Sequence, residues 1–482
     1  MLRRDVVLAL ALLACRDAEP VGSPAPAITR YDDLYSVSVI DAEHVVAVGD
    51  HGAAWRSEDG GQSWRRGRTA TDRPLYAVSM ADRASGWAVG QQGVILHTRD
   101  GGRSWTFEAD RDGDPRSHLF GVHALDARRA VAVGSWGARL VTRDGGETWT
   151  DHSLRVTPDH PQFVWLSASE RETLQRGGSV YEDVVLQDVS CLAGTDDCWL
   201  VGEFGSIFRS QDGGESWTRG EITSDAGSAS IGFPAGGSQP GDDGIAAVRA
   251  FAARIADDER RVVRLEPFAG EHEIAAYGRG AGAADLVERL AARTAEVQAA
   301  LEEAGVASDR LRVSGVPPWD AAGTADPGPA AIARYLAQRR ARDAHVELSV
   351  RETPVLFAVD FADAETGLAV GLGGALLRTG DGGRSWIPVA TGRRHALFAV
   401  AAGMRRAIAV GEQGTVLHSS DRGASWSVPD ERQLAPLSGF LRDLAFAPGG
   451  EPRTGFSVGP GGTVLRTRDG GESWTQVLPP AG

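Results

Sequence analysis

Seven aspartates stand in a repeated eight-residue setting: SEDGGQSW, TRDGGRSW, TRDGGETW, SQDGGESW, TGDGGRSW, SSDRGASW and TRDGGESW. They are Asp59, Asp100, Asp144, Asp212, Asp381, Asp421 and Asp469, and the motifs close on Trp64, Trp105, Trp149, Trp217, Trp386, Trp426 and Trp474. A carboxylate placed this way could act as an acid, hold a cation, or accept hydrogen bonds from its own turn. Seven copies in one register favour the last. The glycines permit left-handed backbone, the Asp accepts loop N–H groups and the Trp buries its ring. These Asp and Trp side chains are therefore expected to be structural, and no catalytic residue is assigned.

Three cysteines are the other candidates for covalent chemistry. Cys15 follows Arg3-Arg4 and the apolar run Val6 to Leu13, which is too short to span a bilayer as a helix. This segment resembles a bacterial lipoprotein signal peptide, and the resemblance implies cleavage before Cys15 and acylation of its thiol. Residues 1–14 would then be the signal peptide, and 15–30 a tether rich in Pro, Ala and Ser to a lipid anchor in the membrane. Arg16 after the Cys favours the outer membrane facing the periplasm, by likeness to sorting rules in Gram-negative bacteria. Cys191 and Cys198 enclose the loop LAGTDD and could form a disulfide in an oxidising compartment. No nearby His pair completes a zinc set, so no metal and no cofactor are expected.

Composition narrows the functions further. The chain has 482 residues and a net charge of −15, and all 50 of its basic side chains are Arg. The lack of Lys and Asn excludes Schiff-base lysine chemistry, a Lys-dependent phosphate loop and N-glycosylation. The acidic balance and the absence of a dense basic stripe argue against a nucleic-acid partner.

The repeats must sit on elements that hold them in register. Gly49, Gly90, Gly134, Gly202, Gly371, Gly411 and Gly459 each precede their motif Asp by ten residues, and each is followed three residues later by another Gly. Val46 to Val48 reads as a strand, Gly49 to Gly52 as a tight turn needing positive φ, Ala53 to Ser57 as the next strand, and Trp64 as the start of an outer one. The alternating run Leu34 to Val39 supplies the innermost strand, so one repeat predicts one four-stranded sheet. Two segments, 31–223 and 351–478, divide into about 46 residues per repeat, which fits seven blades closing one ring.

The eight-residue motif resembles the Asp-box of sialidase-type propellers, and the fuller VGxxG…TRDGGxSW pattern is similar to the photosystem II stability and assembly factor family. The resemblance covers all seven repeats and implies a β-propeller that binds a protein partner. It also implies partner-binding arginines, for which Arg56, Arg209, Arg378 and Arg466 qualify at equivalent blade positions. A sialidase-like or other carbohydrate-active enzyme, or a glycan-binding receptor, is the alternative. The six Tyr show no arrangement suited to sialidase chemistry.

Between the fourth and fifth repeats the composition shifts to Ala and Arg with helical periodicity. Residues 228–350 resemble the OmpA-like peptidoglycan-associating domain through Ile231 to Phe233, Arg293 to Val297, and LEEAGVASDRLRVSG from Leu301 to Gly315. That resemblance implies an α/β sandwich in which Arg293 could hold cell-wall peptide. The family's Asp is missing, and its expected place falls near Gly270 or Glu271, so Glu271 joins Arg293 as a candidate peptidoglycan-binding residue. The expected fold is mainly β: a seven-bladed β-propeller with an inserted α/β OmpA-like domain. The expected role is a lipid-anchored scaffold or assembly factor of the bacterial cell envelope. It would bind an unidentified envelope protein and weakly associate with peptidoglycan.

Overall fold

The computed structural model describes residues 28–109, 117–156, 168–223, 227–234, 236–256, 261–277, 282–313, 332–333, 335–337, 339–352, 354–428, 439–448 and 453–477. Cys15 and the segment around it, with residues 1–27, lie outside these.

Seven antiparallel sheets follow one another along the chain. In blade 1 the strands are Leu34–Val39, Val45–Gly49, Ala54–Ser57 and Arg65–Arg66, hydrogen-bonded in that order. The same order recurs from Leu75, Leu119 and Leu186 in blades 2 to 4, and from Leu356, Leu397 and Asp443 in blades 5 to 7. Among the described residues blade 6 has three strands, with a single bridge from His418 to Ser427 where the fourth stands in other blades. The second strand of every blade is buried along its whole length, because neighbouring sheets cover both of its faces. That is why VVAVG, GWAVG and AIAVG read as continuous apolar runs rather than alternating ones.

The first glycine of each VGxxG turn has a different cause from the one its sequence suggests. Gly90 and Gly202 are extended, with φ of −173° and −172°. The positive φ values fall on the third and fourth turn positions, as at Gln92 and Gly93. What excludes a side chain at the first position is close approach. A Cβ on Gly49, Gly90, Gly134, Gly371 or Gly411 would lie 2.0 Å from the carbonyl oxygen just before its own innermost strand.

The ring closes between blades 7 and 1. Val37 N–H of blade 1 donates to Asp443 Oδ2 at 2.8 Å, and Gly462 N–H donates to the Asp32 carbonyl at 2.7 Å. Ile28, Leu34 and Trp55 share one apolar cluster with Phe456, Val458 and Val464.

Between blades 4 and 5 a separate sheet runs Ser228–Gly232, His345–Glu352, Arg261–Gly270, Leu311–Val313. Helices Asp242–Ile255 and Gly282–Glu303 pack on it, and their core contains Val248, Phe251, Ile255, Val297 and Leu301. The first turns of the second helix bury Leu286, Val287 and Leu290 with Ala269 and Leu336 in a second apolar cluster. Just before this unit, Glu221–Ile222 pairs in parallel with Ser385 and Trp386, adding a fifth strand outside blade 5.

Candidate functional site

Strand direction gives the ring two unlike ends. Each innermost strand begins opposite the glycine that ends the second strand, as Leu34 pairs with Gly49. The VGxxG turns and every blade-to-blade connection therefore emerge at that end. The motif Asp turns and the first hairpin turns emerge at the other. The incoming segment from Ile28 and the connection from blade 3 to blade 4 belong to the connection end, and the chain rejoins the ring there at Leu356 after the inserted unit. Insertions into repeat proteins gather on one face in this way, often the binding face.

On this end the central channel opens through a collar of aromatic side chains. A Leu opens the innermost strand of each blade, or in blade 7 stands just before it, and the residues that follow this Leu are, in blade order, Tyr35, Tyr76, Phe120, Gln187, Phe357, Phe398 and Arg442. Tyr35 and Tyr76 meet edge to face at 5.8 Å, Tyr76 stacks on Phe120 at 5.4 Å, and Phe357 lies 5.5 Å from Phe398. The Arg442 guanidinium lies 5.2 Å from the Tyr35 ring centroid. Burial, followed by the nearby Asp50 charge, raises the Tyr35 and Tyr76 hydroxyls above the ordinary tyrosine value. These rings are half-buried. Around them the same face presents Tyr31 (79% exposed), Phe204 (60%), Leu372 (53%) and Phe440 (43%). The third turn position carries non-glycine residues in left-handed backbone in five blades: His51, Gln92, Trp136, Phe204 and Gln413, at φ of 53–57°. That conformation is costly for such residues.

Below the collar the channel wall is polar for a definite reason. The inner edge of each innermost strand has no further strand to pair with, so its N–H groups need other acceptors. Short side chains of the preceding blade supply them. Ser36 Oγ accepts from Val78 N–H, Ser38 from Met80, Ser79 from Ala124, Asp188 from Val359, Asp360 from Ala402, and Asp443 from Val37, all at 2.8–3.2 Å. Desolvation pushes the Asp188 carboxyl up to about 7 and that of Asp360 to about 6, and it also raises Asp443.

The residues singled out in the sequence lie elsewhere. In each motif the Asp accepts the backbone N–H of the Ser or Thr four residues on: Asp59 from Ser63, Asp100 from Ser104, Asp144 from Thr148, Asp212 from Ser216, Asp381 from Ser385, Asp421 from Ser425 and Asp469 from Ser473, at 2.8–3.0 Å. Hydroxyl and backbone hydrogen bonds hold Asp144 and Asp421 down to about 2. Trp64, Trp105, Trp386 and Trp474 are buried, while Trp149, Trp217 and Trp426 are partly so.

Arg56, Arg209, Arg378 and Arg466 sit near the far end of their third strands, in the seams between blades. Arg466 Nη1 donates to the Gly60 carbonyl at 2.7 Å, and Arg378 Nε to the Arg422 carbonyl at 2.8 Å. Arg56 pairs with Glu58 and Arg209 with Asp197. The collar and these arginines thus occupy opposite ends of the ring. Cys191 and Cys198 are joined by a disulfide across the first hairpin of blade 4.

In the inserted unit Arg293 is fully buried. Its Nη1 and Nη2 donate to the two carboxylate oxygens of Glu273 at 2.9 and 2.6 Å, and its Nε donates to the Gly237 carbonyl at 2.8 Å. Glu271 instead pairs with Arg340 at 3.0 Å. The short helix Glu271–Tyr277 turns Glu273, not Glu271, toward the long helix.

The collar was missed because its members look like ordinary strand residues one repeat at a time. Aligning the repeats on the Leu at the start of each innermost strand would have shown aromatics at five of seven equivalent positions. The family described as "Photosynthesis system II assembly factor YCF48" matches residues 27–157 and 337–438. Among solved structures, "YCF48 bound to D1 peptide" is 15% identical, covers 92% of this chain and 96% of its own, and has a TM-score of 0.49. YCF48 from Cyanidioschyzon merolae is 17% identical over 92% and 97% of the two chains, with a TM-score of 0.48. The GH74 xyloglucanase from Xanthomonas campestris is 12% identical, covering 95% of this chain and 56% of its own, at a TM-score of 0.49. No curated protein matches the chain in sequence. With seven sheets in a ring and this family match across blades of both segments, the propeller resembles the photosystem II assembly factor YCF48 family.

Proposed function

We propose that this chain is a lipid-anchored scaffold or assembly factor of the bacterial cell envelope. It would bind a polypeptide partner at the collared mouth of its propeller. The observation that carries this reading is the gathering of half-buried aromatics, exposed apolar side chains and left-handed turn residues on the one end where the blade-to-blade connections emerge. The sequence match to the YCF48 family adds support for a polypeptide ligand, since YCF48 itself is known bound to a D1 peptide. A binding role is favoured over a catalytic one because the channel carboxylates Asp188, Asp360 and Asp443 each accept a backbone N–H from the next blade. Anchoring would come from Cys15 acylation, with the protein held at the outer membrane facing the periplasm.

A photo-crosslinking amino acid placed at Phe440, and separately at Arg468 by the motif turns, tests this in cells. Polypeptide adducts from the first position alone support the reading, and adducts from the second alone overturn it. Fractionation of wild type and Cys15→Ser checks the anchor, which fails if the wild type is soluble. Cell-wall association through the OmpA-like reading of the inserted unit would require a ligand carboxylate to displace Glu273 from Arg293. Co-sedimentation with peptidoglycan sacculi, with Arg293→Ala as control, measures it.

A further inference from the structure

Resting on that reading, we propose that the collar recognises a linear polypeptide segment combining an aromatic or large aliphatic side chain with an acidic one. The apolar side chain would enter between the arc Tyr35, Tyr76 and Phe120 and the pair Phe357 and Phe398. The carboxylate would pair with Arg442.

Three observations define this chemistry. The collar is broken at two places only, by Gln187 and by Arg442, so its walls are apolar and its polar contacts are few and fixed. Binding sites of this kind draw affinity from the apolar lining and orientation from a small number of polar groups.

Second, Arg442 is exposed and no carboxylate pairs with it among the described residues. The acids nearest the collar are already engaged. Asp50 faces the His51 ring at 3.3 Å and accepts its backbone N–H, and Asp33 accepts the Gly461 N–H at 2.9 Å. Arg442 is the collar's own cation, and these two carboxylates keep their charge but spend hydrogen-bond capacity on His51 and Gly461 rather than on its guanidinium. A guanidinium beside an aromatic ring is oriented to meet a carboxylate, and the charge-assisted bond is about twice as strong as a neutral one.

Third, Phe440 extends the collar next to Arg442. Its ring lies 6.1 Å from Phe398, so an apolar contact and the cation are two residues apart in sequence and adjacent on the face. A segment with its aromatic and acidic side chains close together matches that spacing.

The test uses the full-length protein and fluorescein-labelled peptides read by anisotropy. The probes are Gly-Ser-Gly-Glu-Phe-Glu-Gly-Ser-Gly, its Lys-Phe-Lys and Glu-Ala-Glu counterparts, and a xyloglucan oligosaccharide as a glycan probe. The Glu-Phe-Glu peptide is expected to bind about tenfold more tightly than either counterpart. Phe398→Ala should weaken it about fivefold or more, whereas Phe107→Ser, on an outer strand, should leave it unchanged. Arg442→Glu should reverse the preference toward Lys-Phe-Lys, a gain that a misfolded chain cannot show. Equal binding of the three peptides, no reversal in Arg442→Glu, or binding of the oligosaccharide alone would overturn the proposal. A crosslinked partner at Phe440 together with no charge preference would leave the scaffold reading standing and remove this one. No partner at Phe440 together with the expected peptide preference would do the opposite.

Discussion

Asp443 of blade 7 accepts the backbone N–H of Val37 in blade 1 at 2.8 Å, joining residues 406 apart in sequence. Each innermost strand needs an acceptor for its inner edge, and at this seam one carboxylate supplies it where the two ends of the ring meet.

Removing that acceptor leaves the Val37 N–H without a partner. Asp443→Ala should cost about 1–3 kcal/mol in urea unfolding. Asp443→Asn keeps an acceptor oxygen and should cost clearly less. Equal loss in both variants would show that the closing bond contributes nothing.

The channel carboxylates give stability a pH dependence with a definite sign. Asp188 and Asp360 hold protons up to about 7 and 6 in the folded chain, against 3.8 for an ordinary Asp. Between those values each of these carboxyls binds more protons folded than unfolded, so the stability they contribute falls as pH rises from about 4 to 7. The motif aspartates act oppositely. Asp144 and Asp421, held near 2, lose their contribution only as pH drops below about 4. Burial holds His123 down to about 4, and its contribution rises with pH up to about 6.5, so the carboxyl is isolated by comparison: the urea midpoint of the wild type minus that of Asp188→Asn should decrease from about pH 5 to about pH 8. A difference that rises over this interval would refute it.

The close approach at the VGxxG turn can be measured directly. Gly134→Ala places a Cβ 2.0 Å from the His118 carbonyl oxygen and should cost about 1–3 kcal/mol or more. Gly380→Ala, where no atom lies within 4 Å of the new Cβ, should stay within about 0.5 kcal/mol of wild type. Thermal melting of the two variants compares them.

The disulfide in blade 4 closes a short loop, with a sequence separation of 7. Cys198→Ser should lower stability by about 2 kcal/mol in oxidising buffer. Added dithiothreitol should bring the wild type down to the variant.

In the inserted unit Glu273→Ala would leave the buried Arg293 charge unpaired, at a cost of about 3–5 kcal/mol. Hydrogen exchange should show the loss within residues 228–352 and leave the propeller strands protected. Loss spread over the blades would mean that the two parts unfold together.

The ring was legible because turn chemistry repeats. Gly, Asp and Trp at fixed offsets dictate the same hairpins seven times, and the sheet order followed. What escaped depends on contacts between repeats. Gly49 looked like a positive-φ residue because turns usually need one, whereas its constraint is a carbonyl at 2.0 Å. Arg466 looked like a surface cation because its acceptor, the Gly60 carbonyl, lies in a blade 406 residues away. Glu273 was not singled out because helix phase, not distance along the chain, decides which carboxylate faces Arg293.

The strand Glu221–Ile222 has a wider consequence. It fastens the chain to the outer edge of blade 5 before the inserted unit begins, and Leu356 starts the inner edge of the same blade after the unit ends. The detour therefore departs from and returns to a single blade, and the ring's mechanical continuity bypasses it. The junction behaves as a socket, at which cargo of a different size could be exchanged without altering the angular spacing of the seven blades.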